Sequence, residues 1–266
     1  MINYLYLGRI GYAEALRLQQ ELVELRRANR IGNTLLLLEH PPVLTLGKHA
    51  TRANILASDQ LLAARGVELF ETDRGGEVTY HGPGQLVGYP IFDLRSMPGP
   101  TQGRLGAVDF VRLLEEILIR VCASYGIMAS RVAGRTGVWT LAGGTVPERK
   151  LAAIGVHISR GITSHGFALN VTTDLRDFEL IVPCGITDRE VTSLEREGAV
   201  LAGTTPTERL EAVAHLAARC FGQVFGEQVL ALGSLHDLRA QGLGVPMQIP
   251  KDVEARHGEG TGSQKA

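Results

Sequence analysis

One run of thirteen residues, Asp73-Arg74-Gly75-Gly76-Glu77-Val78-Thr79-Tyr80-His81-Gly82-Pro83-Gly84-Gln85, constrains the fold of this chain more than any other. Four glycines and a proline rule out helix there. The stretches on either side, 67–72 and 86–94, alternate in the manner of strands. The reading is an ordered loop between strands, with exposed backbone N–H groups beside a guanidinium and an imidazole, able to hold an anionic or carbonyl-bearing ligand. It is not a Walker A loop, lacking GK[ST], and its glycine spacing is wrong for a dinucleotide fingerprint. Glycine is abundant throughout, 32 of 266 residues, or about 12% against a usual share of roughly 7%. No fixed glycine period appears, which excludes collagen.

Around that loop the periodicity alternates between helix and strand, the mark of a mixed α/β (α+β) domain. Leucines at 16, 18, 22 and 25 predict an amphipathic helix over 12–29, and Phe110, Leu113, Leu114, Ile117 and Val121 predict another over 107–125. A third helix is expected from Thr205 to about 225, with Pro206 at its first position and Glu208 completing a capping box. Thr187 with Glu190 is a weaker copy of that signal, opening a short helix after Pro183-Cys184-Gly185. Strands are expected at 35–39, 43–46, 137–141, 151–158 and 167–171. No repeat or linker breaks the chain, so one domain is expected over 1–240 and a disordered tail over 241–266.

Charge is nearly balanced, 27 Lys and Arg against 28 Asp and Glu. No global field steers the protein toward nucleic acid. No apolar run reaches membrane-spanning length and no signal-peptide pattern opens the chain, so a cytoplasmic protein is expected. Cys122, Cys184 and Cys220 are scattered and odd in number, which argues against disulfides and against a zinc site. Cys122 and Cys220 fall in helical patterns and read as inert packing. Among the basic residues 23 are Arg and four are Lys, and between 49 and 250 the one lysine is Lys150. Arginine does not deprotonate in a protein, whereas a buried lysine can.

Three segments could carry chemistry. The first is the glycine-rich loop, whose His81, taken by itself, is more often a hydrogen-bonded structural histidine than a base. In the second, Lys150 opens the apolar run Leu151-Ala152-Ala153-Ile154-Gly155-Val156-His157, either as a surface residue or as a base; nearby Ser164-His165-Gly166 offers a ligand, a base or a turn. The third is Ile181-Val182-Pro183-Cys184-Gly185, where Pro and Gly fix an exposed bend and a following helix N-terminus favours a thiolate. A thiolate with a neutral Lys or His as base is the minimal equipment for covalent acyl transfer.

Taken in order, Arg74-Gly75-Gly76 with Thr79-Tyr80-His81-Gly82-Pro83-Gly84-Gln85, then Lys150, then Pro183-Cys184-Gly185 resemble the lipoyl(octanoyl) transferases of lipoate biosynthesis. The resemblance covers about residues 1–230. It implies the biotin/lipoate protein ligase-like fold, a larger mixed sheet and a smaller sheet flanked by helices. It implies Cys184 as nucleophile and Lys150 as general acid/base. Substrate would be bound by Arg74, Gly75, Gly76, Thr79, Tyr80, His81, Gly82, Ala153, Ile154, Gly155, His157, Ser164, His165 and Gly166. The donor would be octanoyl-acyl carrier protein, with the acyl group on phosphopantetheine. The acceptors would be lipoyl domains of 2-oxoacid dehydrogenase E2 subunits and the glycine cleavage H protein. No ATP, metal, other cofactor, nucleic acid or membrane is expected, and the protein is expected to act as a monomer.

For Lys150 to act as a base it must be neutral, which burial can supply. Octanoate needs an apolar tunnel, each buried CH₂ contributing about 0.8 kcal/mol, and Leu46, Tyr80, Trp139 and Leu169 are expected to line it. An ATP-dependent lipoate or biotin ligase is the nearest rival, but no GRGRxxR-type segment occurs. A cysteine hydrolase using Cys184 with His157 or His165 is a second, and a non-catalytic binding module a third.

Overall fold

A computed structural model describes residues 1–99, 103–143, 147–182, 190–240 and 244–247 of the chain. Strand β1 (Ile2–Arg9) and helix α1 (Tyr12–Arg27) lead into β2 (Asn33–Glu39) and β3 (Val43–Leu46). Next come α2 (Asp59–Ala64), β4 (Glu68–Glu71), β5 (Val78–His81) and β6 (Gln85–Ile91). Helix α3 (Ala107–Ser124) precedes the strands β7 (Ala129–Val132), β8 (Arg135–Thr140), β9 (Lys150–Ser159) and β10 (Ile162–Asn170). The long helix α4 (Pro206–Phe225), β11 (Val229–Ala231), α5 (Leu235–Arg239) and β12 (Val245–Pro246) follow.

Leu35, Leu36, Leu37 and Leu38 of β2 are all fully buried. A continuous apolar run of this kind needs cover on both faces of its sheet. Leu35 and Leu37 pack in one cluster with Phe110, Leu114 and Ile117 of α3 and Val213, Ala217 and Phe221 of α4. Leu36 and Leu38 pack in another with Ala15, Leu18 and Leu22 of α1. The sheet between these layers has the order β12-β11-β1-β2-β6-β10-β9-β8-β7. Strand β1 runs parallel to β2 and β11, and the other pairs are antiparallel.

A second sheet, β4-β3-β5, has its own core of Leu44, Leu46, Val78, Tyr80, Phe178 and Leu180. The larger mixed sheet, the smaller sheet and the flanking helices are as expected. At α4 the Thr205 hydroxyl accepts from the Glu208 N–H at 3.2 Å, and the Glu208 carboxylate accepts in return from the Thr205 N–H. The predicted capping box is present.

The structure departs from the sequence reading in four places. Residues 78–81 are strand, because β5 pairs antiparallel with β3 from Val43↔His81 to Leu46↔Val78. Ser164, His165 and Gly166 lie inside β10, paired with β9, and form no turn. Strands β1, β7 and β11 and helices α2 and α5 were not expected at all. Val245 and Pro246, in the span expected to be tail, pair with β11. Thr187, Pro183, Cys184 and Gly185 lie outside the described residues, as do the last nineteen. No helix among the described residues is long and apolar enough to cross a membrane.

Candidate active site

The loop after β4 folds back over the middle of β9, and the space between them is a cleft of about 480 Å³. Of the fourteen residues expected to bind substrate, ten line it: Arg74, Gly75, Gly76, Thr79, His81, Ala153, Ile154, Gly155, His165 and Gly166. A smaller hollow of about 290 Å³ shares Thr79, Ala153 and Ala168 with it and reaches Lys150, Ala152, Gln85 and Asn170. From Lys150 to Gly155 the two span five residues of strand, roughly 17 Å at about 3.3 Å per residue. Apolar walls come from Val87, Ala153, Ile154, Phe167 and Ala168.

The loop is held by Arg74, whose guanidinium is almost fully buried. Nε donates to Thr45 Oγ1 at 3.1 Å, Nη1 to the Gly75 carbonyl at 3.0 Å, and Nη2 to the carbonyls of Thr45 at 2.6 Å and Glu77 at 2.7 Å. Arg74 therefore shapes the cleft by tying its loop to β3. Gly75 donates its N–H to the Val156 carbonyl at 3.1 Å. Beneath it, a Cβ at Gly155 would stand 2.6 Å from the Gly75 carbonyl oxygen. At this crossing main chain rests on main chain, and only glycine permits the approach.

Three histidines lie around the cleft floor. Gln85 Nε2 donates to the Tyr80 carbonyl at 3.1 Å and to Asn170 Oδ1 at 2.9 Å, which turns Gln85 Oε1 toward His81. His81 Nδ1 donates to that oxygen at 2.8 Å, leaving Nε2 as an acceptor. Burial, then the neighbouring His40, push the His81 pKa down to about 3. His40 Nδ1 donates to the Ile10 carbonyl and Nε2 accepts from the Tyr89 hydroxyl, both at 2.8 Å. Burial lowers its pKa to about 4. His165, at φ 54°, donates from Nε2 to Asp73 Oδ1 at 2.8 Å, and burial outweighs the carboxylate to lower its pKa as well. For Asp73 burial acts to raise the pKa, but the His165 hydrogen bond and the two imidazoles hold it below the ordinary value. Tyr12 stacks on His81 at 6.2 Å between centroids and meets His40 at 5.2 Å. At neutral pH this floor presents uncharged imidazoles.

Lys150 heads β9 with 8% of its surface exposed. Its N–H donates to the Glu190 carbonyl and its carbonyl accepts from the Thr192 N–H, both at 2.9 Å. Asn170 Nδ2 donates to the Thr192 carbonyl, so a hydrogen-bonded chain runs from His81 through Gln85, Asn170 and Thr192 to the Lys150 backbone. The amine lies 5.2 Å from the centre of the Trp139 ring, a cation–π distance. Cys184, expected to be the nucleophile, lies outside the described residues. The chain on its near side is fixed by Val182, whose N–H donates to the Asn54 carbonyl at 2.8 Å, and on the far side by Glu190.

The remaining four expected binding residues do not line the cleft. Tyr80 turns into the small-sheet core and donates its hydroxyl to Asp177 at 2.7 Å. Gly82 gives its ring room, since a Cβ there would meet the Tyr80 hydroxyl. His157 and Ser164 are a cross-strand pair beyond the cleft, His157 standing 3.4 Å from Asp73. The expected tunnel lining is likewise displaced: Leu46 and Tyr80 pack in the small core and Leu169 in the main core. Trp139 lies beside the Lys150 amine, and neither hollow is lined by it. Cys122 and Cys220 are buried, which pushes their thiols up to about 12 and about 11. They are packing residues, as read. Tyr12, His40 and Tyr89 were missed because their pairing spans distant segments and leaves no local pattern. Among the described residues no cluster of His, Cys, Asp and Glu is suited to a metal ion.

Residues 11–215 match the family described as the lipoyl protein ligase A/B catalytic domain. An octanoyltransferase from Acidobacterium capsulatum is 67% identical over 239 residues, covering 90% of this chain and 96% of its own. One from Koribacter versatilis is 53% identical over 257 residues, 97% of either chain. Among solved structures, a bi-partite lipoate protein ligase from Thermoplasma acidophilum matches with a TM-score of 0.63 at 15% identity, over 91% of both chains. A lipoate-protein ligase A bound with ATP gives 0.63 at 15% identity, over 91% of this chain and 94% of its own. At that identity the structural likeness is one of fold, and it is the fold expected. The sequence matches decide the family: this chain belongs to the octanoyltransferases, acyltransferases built on the lipoyl protein ligase A/B catalytic domain.

Proposed function

We propose that the chain takes octanoyl from the phosphopantetheine thioester of acyl carrier protein and delivers it to the ε-amine of a lysine on lipoyl domains, those of E2 subunits and the glycine cleavage H protein. The observation that carries this reading is a buried lysine in a hollow that shares Thr79, Ala153 and Ala168 with an apolar-walled cleft. Lys150 takes the proton of the Cys184 thiol, and the thiolate attacks the thioester carbonyl. The phosphopantetheine thiolate leaves and recovers that proton, giving octanoyl-Cys184. The acceptor amine then attacks, passing a proton to Lys150, and Cys184 leaves as a thiolate to be reprotonated.

Thioester exchange is near balance and thioester to amide runs downhill, so the scheme needs neither ATP nor a metal. Apolar walls from Val87 to Ala168 suit the acyl chain. The Thermoplasma ligase is described together with its E2 lipoyl domain, which supports a lipoyl domain as acceptor. The test mixes the protein with octanoyl-acyl carrier protein, without ATP, and takes an intact mass. A hydroxylamine-sensitive octanoyl adduct that disappears in Cys184→Ala is expected. No adduct on the wild type, or attachment of free octanoate only when ATP is added, would overturn the reading.

A further inference from the structure

The stem of Lys150 crosses a space that exists because residue 137 has no side chain. A Cβ at Gly137 would stand 2.9 Å from Lys150 Cε and 2.4 Å from the Ala152 carbonyl oxygen. The backbone there has φ 122°, a conformation L side chains rarely adopt. Strands β8 and β9 pair at Val138↔Ala152 and at Trp139↔Lys150, with the register slipping between the two. Leu151 is thus the extra residue of a bulge, a device that re-aims the side chain beside it. Gly137 has no Cα partner in the register of β8 with either neighbour.

Its N–H goes instead to a side chain from another layer. Glu115, buried on α3, accepts it through Oε1 at 3.0 Å, while Oε2 accepts from Arg131 Nε at 3.1 Å. Burying a carboxylate costs free energy unless its oxygens are bonded. Here both are, one of them to the backbone that the lysine stem crosses. We propose that Glu115, acting through Gly137, is a positioning residue for the Lys150 amine, fixing the main chain on one side of the stem while the Trp139 ring meets the amine. The inference rests on the reading of Lys150 as the base for Cys184.

Its test compares kcat, KM for the lipoyl-domain acceptor, and the pH dependence of Cys184 alkylation by iodoacetamide. Gly137→Ala and Glu115→Leu are expected to lower kcat about 100-fold, the usual cost of a misplacement near 1 Å. KM should stay close to wild type, and the alkylation profile should move toward that of Lys150→Met. Glu115→Gln keeps an acceptor oxygen and is expected to restore both kcat and the profile. If Lys150→Met collapses while Gly137→Ala and Glu115→Leu keep wild-type kcat and profile, the positioning role is overturned and the base survives. An unchanged profile in Lys150→Met removes the base, and the inference with it. Should the first two variants fail to fold, Glu115→Asp draws the carboxylate back by one methylene; the same change in smaller measure supports the role, and wild-type behaviour overturns it.

Discussion

At the Gly155 end of the cleft, polar side chains are committed to fixed partners: Arg74 to the main-chain carbonyls of Thr45, Gly75 and Glu77, His81 to Gln85, His40 to Tyr89, His165 to Asp73. At the Lys150 end the amine sits over an aromatic face and its stem over a glycine. Both ends are buried and both hold titratable groups. The difference is in what surrounds the titratable groups. Burial holds the proton affinities of His81 and His40 far below neutrality, against hydrogen bonds to Gln85 and Ile10 that act to raise them, and both serve as wall. Residue type alone therefore does not make a cleft histidine a base.

The strongest way to break this contrast is Lys150→Arg, which keeps positive charge and cannot act as a base. Octanoyl adduct formation is expected to fall by about 10²–10⁴-fold, the range for losing a positioned acid/base group. Near-normal adduct in timed intact-mass measurements would move the proton transfer to a histidine. Next in size is Arg74→Met, which strips the donor from the Thr45 and Glu77 carbonyls. A loss of about 3 kcal/mol in chemical denaturation is expected, since a buried acceptor left unsatisfied costs about 1–3 kcal/mol.

The histidines give a pH signature. Both His40 and His81 have folded pKa values, about 4 and about 3, below the ordinary 6.5. The unfolded chain then binds more protons than the folded one below pH 6.5, so stability is present above that value and is lost as pH falls toward 4. The slope is up to about 1.4 kcal/mol per pH unit per group. His40→Gln should flatten denaturation midpoints across this window by one group's share, and a slope that stays the same would show His40 to titrate normally. Smallest is His157→Ala, a quarter-exposed side chain 3.4 Å from Asp73. Less than about 1 kcal/mol in thermal melts is expected from an exposed pair of this kind; a larger fall would extend the committed end of the cleft out to its rim.

Much of the frame was legible because it is local. The three long helices announce themselves by spacing, and Thr205, Pro206 and Glu208 mark a helix start within four residues. What stayed hidden is set by contacts between distant segments. Strand β1 is parallel and flanked on both sides, so it lacks clean alternation. Strand β5 hides its pattern because Thr79 and His81 face the cleft while Val78 and Tyr80 face the small core. His165 and Gly166 carry a turn-like local signal, and pairing with Val156 and Gly155 overrides it. Of the site, the motif residues at the loop and at Lys150 were readable by type. Tyr12, His40, Tyr89 and Glu115 were not, since each is given its place by a partner elsewhere in the chain.

The crossing of Gly75 over Gly155 has a bearing on how acyl selectivity could change. A wall of bare main chain offers no side chain to enlarge, trim or recharge, and adding even a methyl at Gly155 would push the loop away. If the acyl chain lies in this cleft as proposed, single substitutions that adjust the accepted chain length belong on the facing side chains, Val87, Ile154 and Phe167 among them. The glycine crossing is the fixed jaw of the vice, and those residues are the adjustable one.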